Sequence, residues 1–415
     1  MTAEMDIAAE LDTCMRCGYC KSSCPTWREA GWESASPRGR AFLLGRMARA
    51  SPLDRAFGLQ VEVTDRFFEH FHYCTLCGMC SEVCEVSIPL HRIWEETRES
   101  LSRAGWGPLP GHAALMQSLH ANRNPYGQPP AKRVEWMGDR RPPPMAEVAW
   151  FVGCSESYNQ FQAAEAGMRL LDAAKVPWTT LGAEEWCCGN PHVKTGVTAD
   201  LDEHARHNVD ALEATGASRV VSGCPGCTLN LGDVYPRRGM GGDFEVVHLV
   251  ELLARLVEEG RLTPSKRFEG RVIYHDPCEL GRVGRRVYAA PRRLLDAACG
   301  KGEWLEFPQS RDLASCCGGG GAFKAVDDGA AVAIAARKLE VAIELGADTV
   351  VSACPTCRFN LNHGVQALKR RRRGGEGAGE RGGPEALTAG KGGAGKADRV
   401  KLRVMDIKEL LERCL

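Results

Sequence analysis

Residues 222–227 read SGCPGC and residues 352–357 read SACPTC, and each closes the same cysteine pattern. Ahead of the first stand Cys154 and the vicinal pair Cys187 and Cys188. Ahead of the second stand Cys278 and the pair Cys316 and Cys317. Adding Cys224 and Cys227, or Cys354 and Cys357, gives five cysteines per copy. The gaps between these groups are 32 and 35 residues in the first copy and 37 and 36 in the second. Such self-similarity marks a repeated structural unit. Strands are expected at Glu147–Gly153, which runs into Cys154, at Trp178–Leu181, and at Arg219–Ser222 just before Cys224. In the second copy they are expected at Arg271–Tyr274 and Thr349–Ser352. Helical patterns alternate with them, at Gln160–Ala174, Asp200–Ala214, Pro291–Ala298 and Asp328–Leu345. Alternation of this kind predicts parallel strands and an α/β layer fold, with the cysteine groups gathered at the carboxyl ends of the strands. Each copy closes on a matching tail, FEVVHLVELLARL from Phe244 and KLRVMDIKELLERCL from Lys401.

Upstream lie two short ligand runs. Cys14, Cys17, Cys20 and Cys24 come first, then Cys74, Cys77, Cys80 and Cys84. Both follow the C-x2-C-x2-C-x3-C spacing of [4Fe–4S] ligation in two-cluster ferredoxins, whose fourth cysteine serves the partner cluster. The expected cubane sites are therefore Cys14, Cys17, Cys20 and Cys84 for one, and Cys74, Cys77, Cys80 and Cys24 for the other. A pair of zinc sites would set two close cysteines against a distant pair instead. Glu85 stands where such a run usually continues with proline, which removes no ligand. The 49 residues between Cys24 and Cys74, with helical patterns at Pro37–Ala50 and Val63–His72, are too many for a compact β-rich ferredoxin. An all-helical two-cluster domain is expected. The SPRGR stretch at Ser36–Arg40 reads as a helix start with solvated arginines, or as a dock for an acidic partner.

Fifty-three acidic residues balance fifty-three basic ones, so no net field draws the chain to nucleic acid or to a membrane surface. The apolar runs are too short for a transmembrane segment, and the first residues do not read as a signal peptide. Eighteen of the twenty cysteines fall in the motifs above, with Cys299 and Cys414 apart. Clustered cysteines in a long, unsecreted chain read as metal ligands rather than a disulfide scaffold. The cytoplasm is the expected compartment, with a peripheral position at the inner membrane through a partner as the variant. The expected organisation is a helical 2[4Fe–4S] domain over 1–104, a surface linker over 105–145, and α/β cysteine modules over 146–262 and 263–415. The last of these contains a disordered Gly- and charge-rich insert at 369–400.

The C-x(31–39)-CC-x(35–36)-C-x2-C pattern, complete in both copies, resembles the CCG module of heterodisulfide reductases. Two ferredoxin-type runs ahead of two such modules resemble the layout of the D subunit of heterodisulfide reductase, over nearly the whole chain. That resemblance implies one or two non-cubane [4Fe–4S] clusters in the modules, beside the two cubanes, and reductive cleavage of a disulfide. Zinc in one module is the alternative. It also implies a flavoprotein or quinone-linked redox subunit as partner. The SPRGR stretch and HDPC at His275–Cys278 are similar to the iron–sulfur subunits of glycolate oxidase and D-lactate dehydrogenases as well. A relay for hydroxy-acid-derived electrons is the alternative function, although those subunits often have degenerate terminal CxxC pairs and both pairs here are intact. No flavin or nicotinamide fingerprint is present. Gly318–Gly321 lacks a phosphate-loop context and reads as a turn. His192 and His275 lie near ligand cysteines and read as structural, with thiolate protonation as the alternative. Cys299 reads as a small buried residue.

Overall fold

The computed structural model describes residues 7–49, 51–58, 61–372 and 401–415. The N-terminal part is helical. Its main helices are Pro37–Ala48, Asp65–His72 and Leu90–Arg103. Ser36 caps the first of these by accepting from the Gly39 amide at 3.0 Å, with Pro37 at the position where a missing N–H costs nothing. The arginines that follow are not both solvated. Arg38 pairs with Glu33 at 2.7 Å, whereas Arg40 is fully buried and donates to the His70 and Tyr73 carbonyls.

Two parallel four-stranded sheets follow. The first contains β1 (Val148–Trp150), β2 (Trp178–Thr179), β3 (Arg219–Ser222) and β4 (Glu245–His248) in the order β2-β1-β3-β4. The second repeats this order, β6-β5-β7-β8, with β5 (Val272–His275), β6 (Leu305–Glu306), β7 (Thr349–Ser352) and β8 (Arg403–Asp406). The registers match as well. Ser222 lies opposite His248 in one sheet and Ser352 lies opposite Asp406 in the other. Helices cover the buried strands, as a parallel sheet requires. The tail helix Leu249–Glu258 of the first module packs on Ala289–Cys299 of the second, and the tail helix Ile407–Glu412 packs on Phe161–Ala173 of the first. Each module thus lends its tail to the other in a pseudo-twofold pair. Cys299 and Cys414 are buried in the apolar cluster between them.

Two expectations need correction. The stretch expected to be a surface linker that cannot continue a helix contains a helix of its own, Pro110–Asn122, and a 3-10 segment, Pro130–Met137. The preceding helix does stop, at Arg103 with left-handed Gly105 just beyond it, but Pro110 and Pro130 sit in the first turn, where proline starts a helix instead of breaking it. Lys369–Arg372, expected at the start of the insert, instead continue the helix Pro355–Arg372. The remainder of that insert, 373–400, lies outside the described residues.

The pseudo-symmetry is broken at one buried contact. Lys408, two residues past the end of β8, donates to Glu156 at 2.6 Å across the module interface, and both are essentially inaccessible. Burial pushes Glu156 up to about 7 even against the pull of Lys408. The equivalent positions, two past β4 and two past Cys278, are Val250 and Leu280 of the apolar cluster. Gly223 leaves room for the ion pair where Ala353 stands in the other copy. Replacing Lys408 by Met should destabilise the anaerobic protein by about 3–5 kcal/mol, because Glu156 is left buried without its cation. Asp406, also buried beside Lys408 at 3.4 Å, stands where the first module has His248, so the triple change E156L/D406H/K408V, which copies the partner site, should recover most of that loss. Thermal denaturation midpoints of the two variants check both expectations.

Candidate metal centres

Left-handed backbone at Gly18 and Gly78 turns each N-terminal run so that its first three cysteines converge. The fourth cysteines cross over. One small cavity is lined by Cys14, Cys17, Cys20 and Cys84 together with Met15, Gly18 and Arg38. A second is lined by Cys24, Cys74, Cys77 and Cys80, with Pro25, Pro37 and Trp94 around them. These two sets are the ones the spacing predicts. The first is near the surface, since Cys17 is exposed, whereas the four cysteines of the second are all buried. Burial and then the neighbouring sulfurs push Cys20 up to about 12.

In the first module the five sulfurs form a continuous contact chain. Cys154 meets Cys187, Cys187 meets Cys188, Cys188 meets Cys227, and Cys227 meets Cys224. The second module repeats it from Cys278 through Cys316, Cys317 and Cys357 to Cys354, with Cys317 and Cys357 3.2 Å apart. One thiol in each chain is acidic. Cys188 is lowered to about 6 by Cys187 and then Cys227, and Cys317 is lowered well below its usual value by Cys316 and then Cys357. Cys154, Cys227, Cys316 and Cys357 are pushed well up. Five sulfurs in contact, four of them buried, with few partners but one another cannot all ionise unless positive charge arrives among them. An iron–sulfur cluster supplies that charge, so the donor set fits such a group. Cys224 and Cys278 are the two module sulfurs that are not fully buried.

Charged side chains surround these sulfurs. Arg133 donates to the Cys154 sulfur at 3.4 Å and pairs with buried Glu185 at 2.6 Å. Glu185 in turn accepts from the Val152 and Gly153 amides, which holds the strand end that carries Cys154. Arg282 donates to the Cys77, Asp312 and Ala314 carbonyls, tying the second module to the second N-terminal run. The sulfurs of Cys77 and Cys316 touch across that junction. Lys194 of the first module reaches Glu95 of the N-terminal domain at 2.6 Å and Glu279 of the second module at 3.1 Å. Burial draws Glu95 up, but Lys194 outweighs it and holds the carboxyl below its usual range.

The histidines behave differently from each other. His192 is structural, with Nδ1 2.8 Å from the Val197 carbonyl. His275 is buried and faces Cys317 and Cys357, and the three ligand atoms lie within 4.8 Å of one another. The sequence reading did not single out Arg98, Arg133, Arg282, Lys194 or Lys338. A signal existed for Arg98, which stands four residues after buried Trp94 and three before buried Leu101, on the apolar face of its helix. No comparable local signal marks the others.

Known proteins share both the domains and their order. A cysteine-rich domain model, CCG, matches residues 148–232 and 272–362, and a 4Fe–4S dicluster domain model matches residues 10–88. The chain is 35% identical to the D subunit of the dihydromethanophenazine:CoB–CoM heterodisulfide reductase of Methanosarcina barkeri, over 87% of this chain and 90% of that protein. It is 28% identical to an EtfAB:quinone oxidoreductase of Syntrophomonas wolfei, over 87% of this chain and 56% of that protein. The fold is also that of a hypothetical protein from Helicobacter pylori, with a TM-score of 0.58 at 12% identity, covering 91% of this chain and 67% of the other.

The crossover sets up a test. Serine at Cys84 should disturb the site of Cys14, Cys17 and Cys20, and serine at Cys24 the site of Cys74, Cys77 and Cys80. Low-temperature electron paramagnetic resonance of dithionite-reduced protein should show C84S losing the same cubane signal as C17S, and C24S the same signal as C77S. The opposite matching would rule the crossover out.

Proposed function

Because the chain belongs to the family of heterodisulfide reductase D subunits, we propose that it is the disulfide-cleaving subunit of an oxidoreductase complex, fed with electrons by a partner redox protein. Its eight N-terminal ligand cysteines would hold two [4Fe–4S] cubanes, and the five cysteines of each module would hold a further, non-cubane cluster. When bound, such clusters store and pass single electrons and offer iron to sulfur. The overall change is RSSR′ + 2e⁻ + 2H⁺ → RSH + R′SH, so two electrons must be gathered before the bond is fully cleaved.

The observation that carries this reading is the contact between Cys77 and Cys316. It sets the inner N-terminal site directly against the second module, while the outer site, with exposed Cys17, faces solvent where a partner can dock. The chain's own groups then do three things. Arg98 and Arg282 fix the gap between the sites by gripping backbone carbonyls on both sides. Burial of the inner sulfurs keeps water from them. The module loops meet where Asn190 donates to Glu279 at 3.4 Å, and Gly226 leaves space beside both. Glu279 adjoins Cys278 and Gly226 lies between Cys224 and Cys227, so the two less buried sulfurs belong to loops that share this junction. A cavity of about 550 Å³ opens beside it, lined by Glu279, Glu95, His91, Arg237 and Arg285 among others. That is within the size range of small-molecule sites. Its mixed charge suits a polar disulfide with anionic ends.

The Syntrophomonas relative, named for an electron-transfer flavoprotein and quinone, favours a flavoprotein or quinone-linked partner for this chain too. Among the described residues no helix is long and apolar enough to cross a membrane, so a membrane-borne partner would have to be met from one side.

Iron, acid-labile sulfide and zinc per chain, on protein purified without oxygen, test this reading first. About sixteen iron atoms are expected, four for each of four clusters, and the loaded protein should oxidise a reduced viologen when given a suitable disulfide. About eight iron atoms, with or without zinc in the modules, would reduce the chain to a two-cubane relay.

A further inference from the structure

The strand registers make the modules comparable residue by residue. Val148–Trp150 lie opposite Arg219–Val221, and Val272–Tyr274 lie opposite Thr349–Val351 in the same way. Phe151 of the first module therefore corresponds to His275 of the second. Counting back from the turn glycines Gly216 and Gly346, each three residues before its strand, Asn208 corresponds to Lys338.

Asn208 and Lys338 do the same structural work. Asn208 accepts from the Trp186 amide at 3.1 Å and donates to the Cys187 carbonyl at 3.3 Å, fixing the segment that enters the vicinal pair. Lys338 donates to the Ser315 carbonyl at 3.1 Å and its hydroxyl at 2.9 Å, fixing the segment that enters Cys316–Cys317. A neutral amide is thus enough to hold the loop. The ammonium adds a charge, and that charge has no structural duty.

It also has no carboxylate. Lys338 is 5% exposed and lies 3.9 Å from the Phe307 ring centre, and among the described residues it forms no ion pair with an acid. Nearby Asp276 is held by Arg292 at 2.8 and 2.9 Å. Burial lowers the Lys338 ammonium only to about 8, so it remains a cation at neutral pH. A buried cation is costly without an anion beside it. The charges that act on it are those of the Cys317, Cys316 and Cys357 sulfurs, with the Asp276 carboxylate that Arg292 holds. The buried cation of the first module, Arg133, also donates to a sulfur, that of Cys154, but it is paired with buried Glu185 at 2.6 Å, so the charge it brings is balanced by a carboxylate. His275 adds a second difference, since its buried ring faces Cys317 and Cys357, the three ligand atoms within 4.8 Å of one another, where the first module has an apolar phenyl ring.

We propose that the two modules are poised at different potentials, with Lys338 and His275 making the second the easier to reduce. The inference rests on the reading of both modules as iron–sulfur sites. A cation and a polar imidazole beside thiolates stabilise the reduced, more negative state of a cluster and so raise its potential. The module that touches Cys77 is then the one on which an arriving electron settles, and the first module fills second.

Anaerobic redox titration of the iron-loaded protein, followed by electron paramagnetic resonance, tests this. The non-cubane signals should half-reduce at two distinct potentials. K338N, which installs the first module's residue, should lower the upper potential by at least a tenfold shift in its one-electron equilibrium, about 59 mV. H275F should shift it in the same direction, and N208K should raise the lower potential. Should K338N lose iron, N208K reads the same effect in the other module. Coincident potentials in the wild-type protein, or unmoved midpoints in fully loaded K338N and N208K, would overturn the proposal. About sixteen iron atoms with coincident potentials would overturn it alone. About eight would remove the function reading along with it.

Discussion

A single guanidinium, buried among carbonyl oxygens, joins the three parts of the chain. Arg98 donates to Phe71 and Cys74 of its own domain, to Lys194 of the first module and to Gly321 of the second. No acid neutralises it in these bonds. Burial lowers it to about 10, and it remains charged because a planar fork of five donors finds an acceptor in every direction. Gly196 and Gly321, both in left-handed conformations, let the backbones come this close, since a β-carbon at either would overlap the N-terminal domain. The glycine-rich turn after Cys316–Cys317 is therefore less a flexible hinge than a docking face. His72 meets the Thr195 carbonyl and His112 the Ala322 carbonyl, their rings 5.2 Å apart, so the same seam is stitched twice more. Because the Cys74 carbonyl is one of Arg98's acceptors, the cation that unites the domains also fixes the first sulfur of the inner site.

Around this tie the two modules are copies that have diverged where charge is concerned. Their strand order, register and sulfur chains are alike, and Asn230 and Asn360 brace the vicinal cysteines through the Cys188 and Cys317 carbonyls, both at 2.7 Å. The interface between them is mostly apolar and symmetric. The Glu156–Lys408 ion pair, and the buried Gln160 that bonds Pro355 and Arg358, each occur in one half only.

Much of this was legible in the sequence because cysteine ligation leaves a spacing record. The crossed sets Cys14–Cys17–Cys20–Cys84 and Cys74–Cys77–Cys80–Cys24 follow from local turn geometry, and the strands at Arg219–Ser222 and Thr349–Ser352 follow from short β-branched runs ahead of a Cys-Pro turn. What could not be read is what depends on distant partners. Lys194 and Lys408 look like surface charges in sequence, and only folding brings Glu95 or Glu156 to them across roughly a hundred or more residues. Proline misled in the other direction. In isolation Pro110 signals a break, yet at the first turn it begins the helix that brings His112 to the domain seam.

The Glu156–Lys408 pair has a temporal meaning as well as a spatial one. The two residues are 252 positions apart, so a ribosome delivers the carboxylate long before the ammonium. Until the tail is made, the first module holds an acid that cannot be buried as an ion, and its helix Phe161–Ala173 lacks the helix Ile407–Glu412 that packs on it. Closure of the first module is thus a late event in biosynthesis.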